Sequence, residues 1–270
     1  MKISIITPSF NQGKYIEQNI LSVLNQNYTN FEHIIIDGGS TDNTLEILRK
    51  YPHLKWISEP DEGQADALNK GLKLATGEII GWINSDDYYE NDIFYTVINE
   101  FKDNDVKWLC GNILFKYEEL NIFIPDKTPL ITYNALIKNP DIVRQQAAFY
   151  RKDILISIGG FNKSYYMVMD YDLWIKLSKM TNPKMVDKVF AIFRIHDEQK
   201  STEKNIKKQI IEINEILRNE NVSFIRRFLI GLKKQFYYLK LKIKKYLISI
   251  GIFNKKYSYI SFSKRKFLKG

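Results

Sequence analysis

Cysteine is almost missing from this chain: Cys110 is the single one in 270 residues. That excludes an internal disulfide framework and a cysteine-rich zinc site, fits a reducing compartment, and leaves the thiol a packing role. Long apolar runs are missing as well. The opening Met1-Lys2-Ile3-Ser4-Ile5-Ile6-Thr7-Pro8 stops too early for a signal peptide, and no later stretch reaches the ~18 apolar residues of a membrane span, so the expected location is the cytoplasm. Neither a G-x-G-x-x-G nor a Walker phosphate loop occurs, and no activated Ser or Cys constellation points to covalent catalysis. Internal repeats and low-complexity linkers are absent. The final absence is local: after Glu220 there is no Asp or Glu at all, against 14 Lys and Arg.

What is present suffices for a folded α/β domain with an appendage. Apolar residues make up 44%, with 17 Tyr and 16 Phe, enough to bury a sizeable core. The net charge of +9 is uneven. Residues 1–220 hold 26 basic residues against all 31 acids, so the body is mildly acidic and the tail strongly basic.

Hydrophobic periodicity orders the elements. Ile3–Thr7 reads as a strand, and Tyr15, Ile16, Ile20, Val23 and Leu24 form one face of a helix. Strands over Glu32–Asp37, Leu54–Ser58 and Glu78–Ile83 alternate with helices over Thr41–Lys50 and around Ala65, Leu68, Leu72 and Ala75. This alternation predicts βαβ crossovers and a mostly parallel, Rossmann-like sheet flanked by helices, with ligands beyond the carboxyl ends of the strands. Farther on, the pattern predicts a β-rich stretch at Cys110–Phe123 and a helix over Asp170–Met180.

Polar residues just after strands are therefore the candidates. Asp86 and Asp87 repel one another unless compensated; a hard divalent cation does that, and capping of the next turn is the competing explanation. In Asp37-Gly38-Gly39-Ser40-Thr41-Asp42 the glycines supply a tight turn and a hydroxyl or carboxylate caps the next helix, while Asp37 faces the crevice as an acceptor for a base or ribose. Taken alone, Asp170 reads as a helix cap and His196 as a packed or surface histidine.

Together these segments resemble the family 2 inverting glycosyltransferases with the GT-A fold, over roughly residues 1–202. Thr7-Pro8-Ser9-Phe10-Asn11 is similar to that family's first-strand motif, Asp37–Asp42 to its nucleotide-binding loop, and Glu59–Gly71 (EPDEGQADALNKG) to a version in one subgroup. Asn84-Ser85-Asp86-Asp87 stands where the family has D-x-D. Gly159-Gly160-Phe161, Met169-Asp170-Tyr171-Asp172 and Arg194–Ser201 resemble its glycine loop, base-bearing acidic motif and metal-contacting histidine segment.

The resemblance implies that Pro8, Phe10 and Asp37 line the nucleotide base site, with Asp66, Asn84 and Ser85 also on the donor side. It implies that Asp86 and His196 hold Mg²⁺ or Mn²⁺, that Asp170 is the general base, and that Gln145, Gln146 and Arg151 contact sugar or diphosphate. Asn84 replaces the first Asp of D-x-D, and Met169 replaces the usual Glu beside the base. The implied reaction is an inverting transfer from a nucleotide sugar, with UDP-sugar the expected donor. The rivals are a sugar-phosphate nucleotidyltransferase, whose basic glycine-rich first loop is missing, and a non-catalytic binding protein of the same fold.

The catalytic domain is expected at 1–202 and a helical extension at 203–270, basic and amphipathic from about 222. Phe224, Phe228, Leu232, Phe236, Leu239, Ile243, Tyr246, Leu247 and Ile250 recur every three or four residues, with Lys and Arg largely between them. Such a helix suits an anionic membrane surface and with it a lipid-linked glycan acceptor; the competing expectation is a helix packed on the body. On the membrane reading, the chain is peripheral on the inner face of the cell membrane, and removal of everything after about Asn221 leaves a folded enzyme. No nucleic-acid motif accompanies the charge.

Overall fold

The computed structural model describes residues 1–200 and 205–249. Strand β1 (Ile3–Ser9) lies between β2 (Phe31–Asp37) and β4 (Ile79–Trp82), with β3 (Lys55–Ser58) outside β2, and all these pairings are parallel. Helices α1 (Ile16–Leu24), α2 (Thr44–Arg49) and α3 (Gln64–Leu74) make the crossovers. Ile3, Ile5, Ile6, Ile34, Ile35 and Ile36 are completely buried, as parallel strands covered on both faces require. Helix α3 rides so close to β1 that a Cβ at Gly71 would stand 2.4 Å from Cγ2 of Ile6, which is why that helical position has no side chain.

Beyond β4 the sheet is mixed. Strand β8 (Ala148–Arg151) pairs antiparallel with β4, β6 (Trp108–Tyr117) antiparallel with β8, and β9 (Lys184–Ile195) parallel with β6. The short strand β5 (Tyr88–Tyr89) pairs with β9, while β7 (Ile122–Asp126) returns on β6 as a hairpin. The order is β3-β2-β1-β4-β8-β6-β9-β5. The expected parallel sheet thus holds through residue 83, and short returns that need no crossover helix supply the antiparallel part. The reversals into and out of β8 cancel, so β1, β4, β6 and β9 all end at one edge.

Helices α4 (Phe94–Phe101), α5 (Tyr133–Lys138), α6 (Lys152–Ser157), α7 (Met169–Met180), α8 (Ile206–Asn219) and α9 (Phe224–Ser249) complete the described chain. Successive residues of β4 point to opposite faces: Ile80 and Trp82 join a core with α3, α7 and α8, whereas Ile79 joins one with α4.

One core is shared across the boundary expected at 202. Ile213, Ile216 and Leu217 of α8 and Ile230 of α9 lie in the same core as Trp174 and Leu177 of α7. The Glu212 carboxylate accepts the backbone N–H groups of Tyr166 (3.2 Å), Met167 (2.7 Å) and Val168 (3.2 Å), the three residues before Met169, where α7 begins. A carboxylate there satisfies orphan donors and complements the helix dipole. A cut after Asn221 would remove Ile230 from this core. Residues 250–270 of the expected extension lie outside the described residues.

Replacing Glu212 with Ala leaves three N–H groups without their acceptor, and we expect a loss of roughly 2–3 kcal/mol, read by denaturant unfolding. Glu212→Gln, which keeps a carbonyl oxygen, should lose less. An unchanged midpoint in the Ala variant would show that α8 does not hold the start of α7.

Candidate active site

The shared strand edge opens into a cavity of about 1840 Å³. Pro8 and Phe10 line it from the end of β1, Asn84, Ser85 and Asp86 from the end of β4, Gln145 and Gln146 from the loop before β8, and Asp170 from the first turn of α7. Phe10 is exposed at the rim.

The loop after β4 is clamped from three sides. The Asn19 side-chain amide of α1 donates to the carbonyls of Asn84 and Asp87, both at 2.9 Å. The buried Arg194 guanidinium of β9 donates to the Asp86 carbonyl at 2.7 Å and lies over the rings of Tyr15 and Tyr88. The Asp87 carboxylate turns inward, accepting the Arg194 N–H and the Gln146 side-chain N–H, both at 2.9 Å. Complete burial, followed by the charge of Asp86, pushes the Asp87 carboxyl well above the usual carboxylate range, against the pull of those two donors. Only Asp86 faces the cavity.

His196 follows β9 directly, and its Nε2 lies 3.2 Å from Oδ2 of Asp86. The imidazole is buried beside the Tyr15 ring, and its Nδ1 has no hydrogen-bond partner. Among the described residues no three His, Cys, Asp or Glu cluster as a complete metal cage. A carboxylate oxygen and an imidazole nitrogen fit a partial site for Mg²⁺ or Mn²⁺, the kind whose remaining positions go to water and substrate phosphates.

Asp170, which also lines the cavity, has its Oδ1 held by the Tyr171 N–H at 2.8 Å. Burial raises the carboxyl to about 6; that N–H and the charges of Lys234 and Lys200 hold it down, while Asp141 pushes it up. Lys200 lines the cavity beside it, 4.0 Å from the Tyr166 ring centroid and donating to Gln64 Oε1 at 3.2 Å. Burial lowers Lys200 to about 8, with Asp170 and Glu212 opposing the shift. Lys234 of α9, nearly buried, pairs with Asp141 at 2.6 Å.

Four expected site residues are not in the cavity wall: His196, which reaches it only through Asp86, and Asp37, Asp66 and Arg151. Asp37 is completely buried; its carboxylate accepts the N–H groups of Gly39 and Ser40 and the hydroxyls of Ser40 and Ser58, so Gly38 rather than Asp37 lines the cavity. Asp66 pairs with Lys70 and Lys163 on the outer side of α3. Arg151 donates to the carbonyls of Phe101, Asp103 and Val106 and lies over the Phe101 ring, closing the end of α4 instead of meeting a diphosphate. Conversely, the sequence reading did not single out Lys200, Asp141, Arg194 or Lys234. Lys200 and Arg194 sit inside the His196 segment and were findable there, whereas nothing local sets Lys234 apart from the other tail lysines.

Residues 4–177 match the sequence profile of glycosyl transferase family 2. A chondroitin synthase of Escherichia coli is 30% identical over 87% of this chain, which spans 34% of that protein's length. Among solved structures, S. aureus TarS 1–349 in complex with UDP superposes with a TM-score of 0.63 at 21% identity, covering 80% of this chain and 64% of TarS. Mannosyltransferase PcManGT from Pyrobaculum calidifontis, in complex with GDP-Man and Mn²⁺, gives 0.61 at 17% identity, covering 88% of this chain and 69% of its own.

If Asp170 is the base that the resemblance implies, it acts only when deprotonated, so kcat/KM should rise with pH through about 6 and level off above it. Lys234→Met removes a cation that favours the ionised carboxylate and frees the charge of Asp141, so its acid limb should move to higher pH. Asp170→Asn should lose roughly 10²–10⁴-fold in turnover while keeping donor affinity. An acid limb that stays put in Lys234→Met would remove Lys234 from the environment of the base.

Proposed function

Because the chain belongs to glycosyl transferase family 2, with the GT-A fold, we propose that it transfers a sugar from a UDP-sugar to an acceptor hydroxyl with inversion of configuration. The observation carrying this reading is that one cavity is lined both by Asp86, whose carboxylate meets His196 Nε2 at 3.2 Å, and by the Asp170 carboxyl that burial raises to about 6.

Asp86 and His196 would hold Mg²⁺ or Mn²⁺, which when bound neutralises charge on a departing diphosphate. The GDP-Man and Mn²⁺ bound to PcManGT and the UDP bound to TarS support a nucleotide sugar beside such a cation. Pro8, Phe10 and Gly38 then border the nucleotide, and Asn84 is held in place by donation from Gln64 (2.7 Å) and Trp82 (2.9 Å) to its Oδ1. Asp170 accepts the acceptor's hydroxyl proton as that oxygen bonds the anomeric carbon and the bond to the diphosphate breaks on the opposite face. Recessing Asp170 raises its basicity, and Lys200 and Lys234 keep it ionised near neutral pH.

The acceptor in this reading is a lipid-linked glycan of a surface polysaccharide, and the reaction takes place in the cytoplasm. The wall from Ile113 and Phe115 through Ile124 to Phe193 gives the acceptor side an apolar lining. The relation to a chondroitin synthase supports a polysaccharide product. A non-catalytic role would leave unexplained why Asp170 and Asp86, the latter with His196 against it, are gathered at one cavity.

Asp86→Ala should abolish metal-dependent release of UDP from UDP-sugars and weaken metal-dependent donor binding. Thermal shift with UDP, GDP and CDP, each with Mn²⁺, should give the largest stabilisation with UDP. Full turnover in the Ala variant would sink the metal assignment, and a larger shift with GDP would reassign the donor.

A further inference from the structure

Helix α9 has two faces of different kinds. One is anchored: Ile230 is in the core, a Cβ at Gly231 would lie 3.3 Å from Ile210 of α8, and Lys234 pairs with Asp141 at the cavity. At about 100° per residue, the other face carries Phe224, Phe228, Leu229, Phe236, Leu239 and Ile243 within an arc of about 140°. All six are at least half exposed, from 50% at Leu229 to 72% at Phe224. A helix of 26 residues is about 39 Å long, so this stripe is far larger than a scatter of single surface apolars.

The charge around the stripe selects its occupant. From residue 221 onward the chain has 14 Lys and Arg and no acid, while the body is mildly acidic. Two copies joined through this face would bring two uncompensated positive tails together, whereas an anionic lipid surface offers apolar depth and opposite charge. No helix among the described residues is long and apolar enough to cross a membrane, so the helix would lie along it.

We propose that α9 docks flat on an anionic bilayer, its apolar face among the acyl chains and its anchored face holding the cavity over the lipid. Lys233 and Lys234 line that cavity, so its rim stands about one helix diameter, ~10 Å, from the bilayer surface. An acceptor attached to lipid would then reach Asp170 without leaving the membrane. The docking does not depend on the donor or acceptor assignment, because binding is read without turnover.

The test is sedimentation of the full-length protein with vesicles of phosphatidylcholine alone or with added phosphatidylglycerol. The protein should pellet with the anionic vesicles only, and added salt should release it as headgroup attraction is screened. Phe228→Glu combined with Phe236→Glu should weaken anionic-vesicle binding by about tenfold or more while leaving the melting temperature and UDP-sugar hydrolysis unchanged. Equal binding to neutral vesicles, or undiminished binding by the double variant, would overturn the proposal. So would a concentration-dependent dimer in light scattering that the double variant abolishes, which would make a second copy the occupant. Failure to bind either vesicle would also overturn it. Loss of hydrolysis in the wild-type protein with vesicle binding intact would count against the proposed function alone.

Discussion

Two neighbouring carboxylates at the end of a buried strand cannot both look into the same recess without a large electrostatic penalty, and the fold resolves this by sending them in opposite directions. Asp87 goes inward to the Arg194 N–H and Gln146, leaving Asp86 alone at the cavity. That inward turn ties the end of β4 to β9, and Asn19 adds α1 from the other side. Because the same tether holds β9, His196 arrives at Asp86. A carboxylate and an imidazole 110 positions apart in the chain are thus brought together by one internal hydrogen-bond arrangement.

Asp170 is positioned by a second arrangement, and that arrangement comes from chain beyond the family match. Glu212 collects the three N–H groups before α7 and so fixes the turn from which Asp170 projects. Helix α9 then brings Lys234 to Asp141 at the same wall. Burial alone would push Asp170 further from ionisation; cations from α9 and from the segment after β9 moderate it. The basic extension therefore serves the catalytic cavity with one face, whatever its outer face meets.

Much of this was legible in the sequence because local patterns encode local structure. Period-two and period-3.6 apolar spacing placed β1 through β4 and α7 within a few residues of their observed ends. The strand-end rule directed attention to Asn84, Ser85 and Asp86, and the resemblance added Asp170 and His196. Three of the residues that stay out of the cavity wall share a cause. Asp37, Asp66 and Arg151 have the right chemistry at suggestive positions, but a polar side chain near a strand end serves a ligand only if no backbone group claims it first. Loop N–H groups claim Asp37, helix lysines claim Asp66, and the carbonyls ending α4 claim Arg151.

The sequence by itself determined the alternation of strands and helices, the family, the acidic body with its basic tail, and the amphipathic repeat of α9, since each is a property of neighbours along the chain. Tertiary structure alone decided that α8 and α9 share a core with α7, that Asp87 turns inward to Arg194 and Gln146, and that Lys234 stands near Asp170. These outcomes depend on which groups are buried together, and the energy of a buried charge is set by partners distant in sequence that no local pattern records.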